Sequence, residues 1–339
     1  MLWHERNPTR AAIYFTSPQP QPQPHGSYTH RVSLRSSTPS ARLVSFLATD
    51  GMRLPGLLYE PTRRTRHVAI YLHGNGDASV FSSRRTNLLA SHLSRSGVAF
   101  FPFDNRGAHL IKTLTRVTPS GSESVDQGMT YERIADCVAD IDGAVRFLKS
   151  LGYRRFSLIG HSTGANKICL YDQKRKRNVV SRYVLLAPGD DVGIYLDQLG
   201  RPRFLRALLR CRREIERGRE NQLADRRLSP FPISWGSLYD TINPEGDYNV
   251  FPFLEAMGKP LSGKPLFKSF ASIRKPCLTV MGASDEFCFG NAEACLELMK
   301  HAAAARPRSE FRLISGADHG FHGKERALGK LLGEWLVSA

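Results

Sequence analysis

Short, near-continuous apolar runs recur along the chain from residue 42 onward, each followed by apolar positions at helical spacing. His67–Leu72 (HVAIYL) is one such run, of the kind that fills a strand buried on both faces of a parallel sheet. Similar runs predict strands over 98–103, 155–159, 182–187, 277–281 and 310–314. Between them the spacing predicts helices over 85–96, from Ile134 through Cys137, Val138, Ile141 and Val145 to Leu148, and over 291–304. Another helix runs from 164 to Lys174-Arg175-Lys176-Arg177, whose cations complement the negative end of its dipole, and a last one carries Leu328, Leu331, Leu332, Trp335 and Leu336. Ahead of all these, 42–48 and 54–59 read as strands joined by the turn Thr49-Asp50-Gly51. Strands alternating with helices imply one α/β domain, a mostly parallel central sheet with helices on both faces.

Two stretches interrupt the alternation. Residues 104–128, rich in Gly, Ser, Thr and Asp, read as a loop. Residues 189–270 stand where a short connection would suffice; an insertion of that length suits a cap over a site. It holds a helical, Arg-studded section over 203–227, then an aromatic- and proline-rich one. The domain division that follows is a disordered or targeting tail over 1–41 and a catalytic domain over 42–339. The tail alternates Pro and Gln from 18 to 24, which excludes a helix or an interior strand, and holds four arginines against one acid, Glu5. That composition suits an organellar transit peptide, beside the blander readings of a disordered tail or an over-extended start. Without such targeting the expectation is a soluble, cytoplasmic protein.

Composition narrows the classes. At 41% hydrophobic and 23% charged residues in 339, the chain has the makings of a sizeable core. No apolar run approaches the roughly 20 residues that a membrane-spanning helix needs. The six cysteines include no CxxC pair, which argues against a zinc ribbon or a dense disulfide framework. The net charge of +17 invites a nucleic acid, an anionic membrane or an acidic substrate as partner. The cations are not interleaved with aromatics in any recognised module, so no specific nucleic acid is expected. Residues 201–227 carry ten arginines against four acids. They read as a solvated helical face; the sharper alternative is a cap attracting an acidic substrate or a peripheral membrane contact.

The chemistry begins at Gly160-His161-Ser162-Thr163-Gly164, between a buried strand and a helix. A serine flanked by glycines in that context is a nucleophile elbow: the turn is sharp, the glycines let strand and helix approach, and the hydroxyl projects above the sheet. A serine nucleophile needs a base, and the base an orienting carboxylate. Asp285 stands just past one predicted strand and His319 just past the next, in the order serine, acid, histidine. Glu286 and His322 are their neighbouring understudies. Donors for a developing oxyanion are expected from the backbone N–H groups of Asn75, in the loop His73-Gly74-Asn75-Gly76-Asp77, and of Thr163. The blander readings make Asp285 a helix cap, His319 a loop histidine and the glycines an ordinary turn.

Together these motifs resemble those of the α/β-hydrolase superfamily, from about residue 42 to the C-terminus. HGNGD, Asp104-Asn105-Arg106-Gly107, GHSTG, GASDEF and GADHGF stand in that superfamily's order. The resemblance implies the α/β-hydrolase fold with an inserted cap, and hydrolysis of a small-molecule ester through an acyl-serine intermediate with no metal or organic cofactor. Residues 131–151, 186–193 (LAPGDDVG) and 248–253 (YNVFPF) are similar to a branch related to fungal siderophore esterases. The same residues would also serve acyl transfer to an acceptor other than water, and the same fold hosts non-catalytic ligand-binding proteins.

Overall fold

The computed structural model describes residues 40–338, apart from 77, 82 and 305–307. The tail expected over 1–41 therefore lies outside the described residues except for its last two, as does Asp77 of the HGNGD loop.

Strands β1 (Ser40–Leu47) and β2 (Arg53–Glu60) form an antiparallel hairpin around Gly51, whose φ of 85° suits the turn. Then come β3 (His67–Leu72), α1 (Arg84–Arg95) and β4 (Ala99–Phe103). The stretch 104–128, expected to be a loop, contains a second hairpin, β5 (Lys112–Thr118) with β6 (Gly121–Gln127). Its side chains are polar on both faces, so no alternation marks it in the sequence; Leu114 and Val125 alone pack toward the core. A single 3₁₀ turn leads into α2 (Cys137–Ser150), followed by β7 (Arg155–His161), α3 (Thr163–Lys174) and β8 (Val180–Leu186). The insertion supplies α4 (Asp191–Leu199), α5 (Arg201–Glu216), α6 (Trp235–Ile242) and the single turns α7 (Phe253–Ala256) and α8 (Lys268–Ala271). The chain closes with β9 (Cys277–Gly282), α9 (Ala292–Ala302), β10 (Ser309–Ile314) and α10 (Glu325–Val337).

The eight-stranded sheet has the order β1-β2-β4-β3-β7-β8-β9-β10, parallel from β4 to β10. Alternate residues of its central strands enter two different cores, as the two-residue period of a strand requires. Val68, Ile70 and Leu72 of β3 join Phe156 and Leu158 of β7 under α2, α3 and α9, while Ala69 and Tyr71 join Ile159, Val184 and Leu186 against α1 and α10. Both faces being covered, these strands have no polar face to show, which is why they read as continuous apolar runs. The insertion holds an apolar cluster of its own: Val192 and Leu196 of α4, Phe204, Ala207 and Cys211 of α5, Trp235, Leu238 and Ile242 of α6. Helix α5 stops at Glu216 rather than running on to 227, because Gly218 takes a φ of 71° and ends it. All six cysteines are free thiols and buried. Among the described residues no helix is long and apolar enough to cross a membrane.

Candidate active site

Ser162 stands between β7 and α3 with φ 56° and ψ −128°, a backbone conformation that a non-glycine residue adopts only under constraint. The constraint is the close approach of strand, helix and the neighbouring β3 loop. A Cβ on Gly160 would lie 2.2 Å from the Gly164 carbonyl oxygen, and one on Gly164 would lie 2.4 Å from that of Leu72. Glycine at both flanks is thus a steric requirement of the turn. The Ser162 N–H donates to the Leu186 carbonyl at 2.9 Å, tying the turn to β8.

Asp285 and His319 lie beyond the carboxyl ends of β9 and β10, on the side of the sheet where Ser162 emerges. His319 Nδ1 donates to both Asp285 oxygens at 3.0 Å, and that carboxylate is almost wholly buried. The pair fixes the imidazole tautomer, leaving Nε2 as the free basic nitrogen. The Phe287 ring meets the imidazole edge-on at 4.6 Å, and Phe287 N–H donates to Asp285 Oδ1 at 3.0 Å. Glu286 accepts the His319 backbone N–H at 3.0 Å, so it fastens the loop that carries the histidine. His322 turns to solvent, 80% exposed, and pairs with Asp318. No hydrogen bond joins Ser162 to His319 among the described residues; such bonds are often loose without substrate and tighten around it.

A second histidine braces the first. His161 Nε2 donates to the His319 carbonyl oxygen at 2.8 Å, while its Nδ1 faces Arg85 Nη2 at 3.1 Å. Burial and the Arg85 guanidinium hold this imidazole neutral, well below the usual histidine range. Arg85 also donates to the Gly320 carbonyl and the Tyr71 hydroxyl, so α1, β3, β7 and the His319 loop converge on one guanidinium. Nothing at Arg85 in the sequence signals that role.

The loop after β3 wraps the serine closely. A Cβ on Gly74 would lie 2.7 Å from Ser162 Cβ and 3.2 Å from its Oγ. His73 is buried, with Nδ1 bonded to the Gly74 carbonyl at 2.7 Å, and burial pushes its imidazole down to about 3. Gly76 takes φ 84° and its N–H meets Met129 Sδ at 3.1 Å. The backbone N–H groups of Asn75 and Thr163 have no acceptor among the described residues, Thr163 N–H being one of the orphan donors of a helix start. The Asn75 side chain reaches the Tyr248 hydroxyl of the insertion at 3.5 Å.

Two further features went unread in the sequence. Lys167 of α3 is fully buried, its ammonium 2.6 Å from Glu132 Oε1 and 3.2 Å from Asn105 Oδ1. Asp191, at the head of α4, accepts from Thr163 Oγ1 at 3.2 Å and from Asn166 Nδ2 at 3.2 Å. Burial pushes the Asp191 carboxyl up to about 7, against the opposing pull of the Thr163 hydroxyl and of His319.

In this sheet order the serine turn follows a central strand, with Asp285 past the strand two places away and His319 past the strand three places away. Residues 69–329 match the alpha/beta hydrolase family, and the chain belongs to it. Solved structures of similar fold include an esterase of Butyrivibrio proteoclasticus with ferulic acid bound (TM-score 0.58, 16% identity, covering 87% of this chain and 98% of that one). A Pyrococcus furiosus esterase is also similar (TM-score 0.52, 17% identity, 93% and 97% covered), as is an esterase domain from a Rhodothermus marinus protein (0.51, 18%, 87% and 97%). At such identities the likeness is one of fold. Comparison with curated proteins gives no sequence match.

Proposed function

We propose that the chain is a carboxylic-ester hydrolase working through an acyl-serine intermediate. The observation that carries this reading is the His319 imidazole, held through Nδ1 at 3.0 Å from both Asp285 oxygens beside a serine in the elbow conformation. His319 Nε2 takes the Ser162 proton as Oγ attacks the ester carbonyl carbon. The oxyanion rests on the N–H groups of Asn75 and Thr163, and Asp285 stabilises the imidazolium. The C–O bond to the alcohol then breaks, with the His319 proton going to the leaving oxygen. Water, deprotonated by the same nitrogen, attacks the acyl-serine and releases the acid. No metal or organic cofactor enters these steps. The esterases of similar fold, one of them holding ferulic acid, agree with ester chemistry. We read residues 189–270 as a cap that governs access to Ser162, because the insertion packs around its own apolar cluster and touches the site through Asp191 and Tyr248.

A fluorophosphonate probe tests the nucleophile directly. Trypsin cleaves after Arg155 and Lys167, and the expected result is a covalent adduct on Ser162 within the peptide between them. Absence of an adduct there, with the folded protein in hand, rejects the reading.

Asp191 brings a pH dependence. Its ionised carboxylate would stand beside the residue whose N–H receives the oxyanion, opposing the charge that develops there. Its folded proton affinity is raised, so the folded state keeps a proton that the unfolded chain has lost above about pH 4. The stability contributed by the protonated form is therefore full below about pH 4 and is lost as pH rises through about 7. Asp191→Asn, which mimics the neutral form, is expected to raise kcat/KM about fivefold over the parent at pH 8.5, roughly 1 kcal/mol, with the gap closing at pH 5.5. Its Tm should exceed the parent's at pH 8.5 by more than at pH 4. Parallel pH profiles for the two proteins would show that Asp191 does not titrate in this range.

A further inference from the structure

The cations that close α3 read in the sequence as a complement to one helix dipole. In the fold they have company. Lys174, Arg175, Lys176 and Arg177 meet Arg146 and Lys149 of α2 around an open cleft of about 950 Å³. Both helices end here, with Lys149 and Lys174 in their last turns.

Local electrostatics does not use up this charge. Each helix terminus presents about half a negative charge, so two account for about one unit. Asp142 pairs with Arg175 at 2.8 Å and accepts the Tyr171 hydroxyl, and Asp247 pairs with Lys174 at 2.9 Å. Asp172 is turned to Asn178 and the Tyr183 hydroxyl, and Lys275 bonds Asn178 from the other side. Six cations against two carboxylates and the two dipoles leave about three positive charges in the cleft without a counter-charge. Arg146, Lys149, Lys176 and Arg177 have no ion pair among the described residues. All four are exposed, with flexible side chains that can turn into the cleft. The volume is that of a small-molecule site, and guanidinium groups match phosphate oxygens in a bidentate fashion.

We propose that this cleft binds a small polyanion carrying two or more phosphate groups. It lies at the far end of the helix that begins at the serine turn: the twelve residues of α3 put about 18 Å between them. Occupancy is thus separable from ester hydrolysis, and the proposal stands whether or not Ser162 is the nucleophile. The shared chemistry, several phosphoryl groups close together, is offered both by a soluble oligophosphate and by a multiply phosphorylated lipid headgroup.

Calorimetric titration of the full chain with inorganic tripolyphosphate at 50 mM salt should give one saturable site, at least tenfold tighter than orthophosphate and weakening steeply by 300 mM salt. The variant Arg146→Gln/Lys149→Gln/Lys176→Gln/Arg177→Gln should bind at least 30-fold more weakly with unchanged ester turnover. The pair Arg146→Gln/Lys149→Gln should fall between. Arg206→Gln/Arg213→Gln, on the exposed face of α5, should bind like the parent. Phosphatidylcholine vesicles with 5% phosphatidylinositol bisphosphate distinguish the sources. Retention lost in the quadruple variant assigns the headgroup, and tripolyphosphate binding without retention assigns the soluble ligand. No saturable tripolyphosphate binding, or equal binding by the quadruple variant, overturns the proposal.

Discussion

Ser162→Ala is expected to lower kcat on a p-nitrophenyl short-chain ester by about 10⁴-fold or more, with the fold retained. The size of the effect follows from the role proposed for the hydroxyl: its oxygen forms the bond to the acyl group in the first half-reaction and releases it in the second. The fold should persist because the strain sits in the backbone. Alanine has a Cβ like serine and is held at φ 56° by the same steric wall from Gly160, Gly164 and the β3 loop. Residues that act as a unit are not additive, so Ser162→Ala/His319→Ala should be no slower than Ser162→Ala alone within a factor of about three. Steady-state rates on the three proteins, with circular dichroism to establish folding, check both statements. A Ser162→Ala protein that kept a tenth of the parent rate would remove Ser162 from the mechanism.

Lys167→Met is expected to be the most destabilising substitution at a polar position near the site, by about 3–5 kcal/mol. Lys167 and Glu132 are both buried, with 2.6 Å between ammonium and carboxylate. Removing the cation leaves a carboxylate facing an apolar methionine and the closely packed Gly107, where a Cβ would lie 2.1 Å from Glu132 Oε2. A fall in Tm of about 10 °C is expected for a domain of this size. The cost is that of an orphaned charge, so Lys167→Met/Glu132→Leu should recover most of it. Thermal and denaturant unfolding of the two variants decide the matter. A single variant that melts within 2 °C of the parent would mean that the pair does not support the helix.

The triad candidates were legible because each follows its own strand, and the strands were legible because burial on both faces writes them as unbroken apolar runs. His67–Leu72 matches β3 at both ends for that reason. The β5–β6 hairpin was illegible because, polar on both faces, it leaves no periodic trace. The overrun of α5 had a readable stop, since Arg217-Gly218 is a helix-ending pair hidden in a run of arginines. Pairings across the fold lie beyond any local pattern. Glu132 with Lys167, Arg85 with His161, and Asp191 with Thr163 each join elements far apart in the chain. A hint did exist at Lys167: it is the only charged residue between Thr163 and Tyr171, set directly before the apolar Ile168-Cys169-Leu170.

The three groups proposed for catalysis hang from β7, β9 and β10, and β10 is the outermost strand, paired on one side only. The serine turn is complete once β3, β7 and β8 are in place, but its base arrives only with the last strand to join. A chain interrupted between β8 and β10 therefore carries a finished nucleophile turn and, on the proposed mechanism, no base to activate it. On that mechanism the protein stays chemically silent during synthesis until its far edge has been laid down, and loosening of that single edge is enough to silence it again.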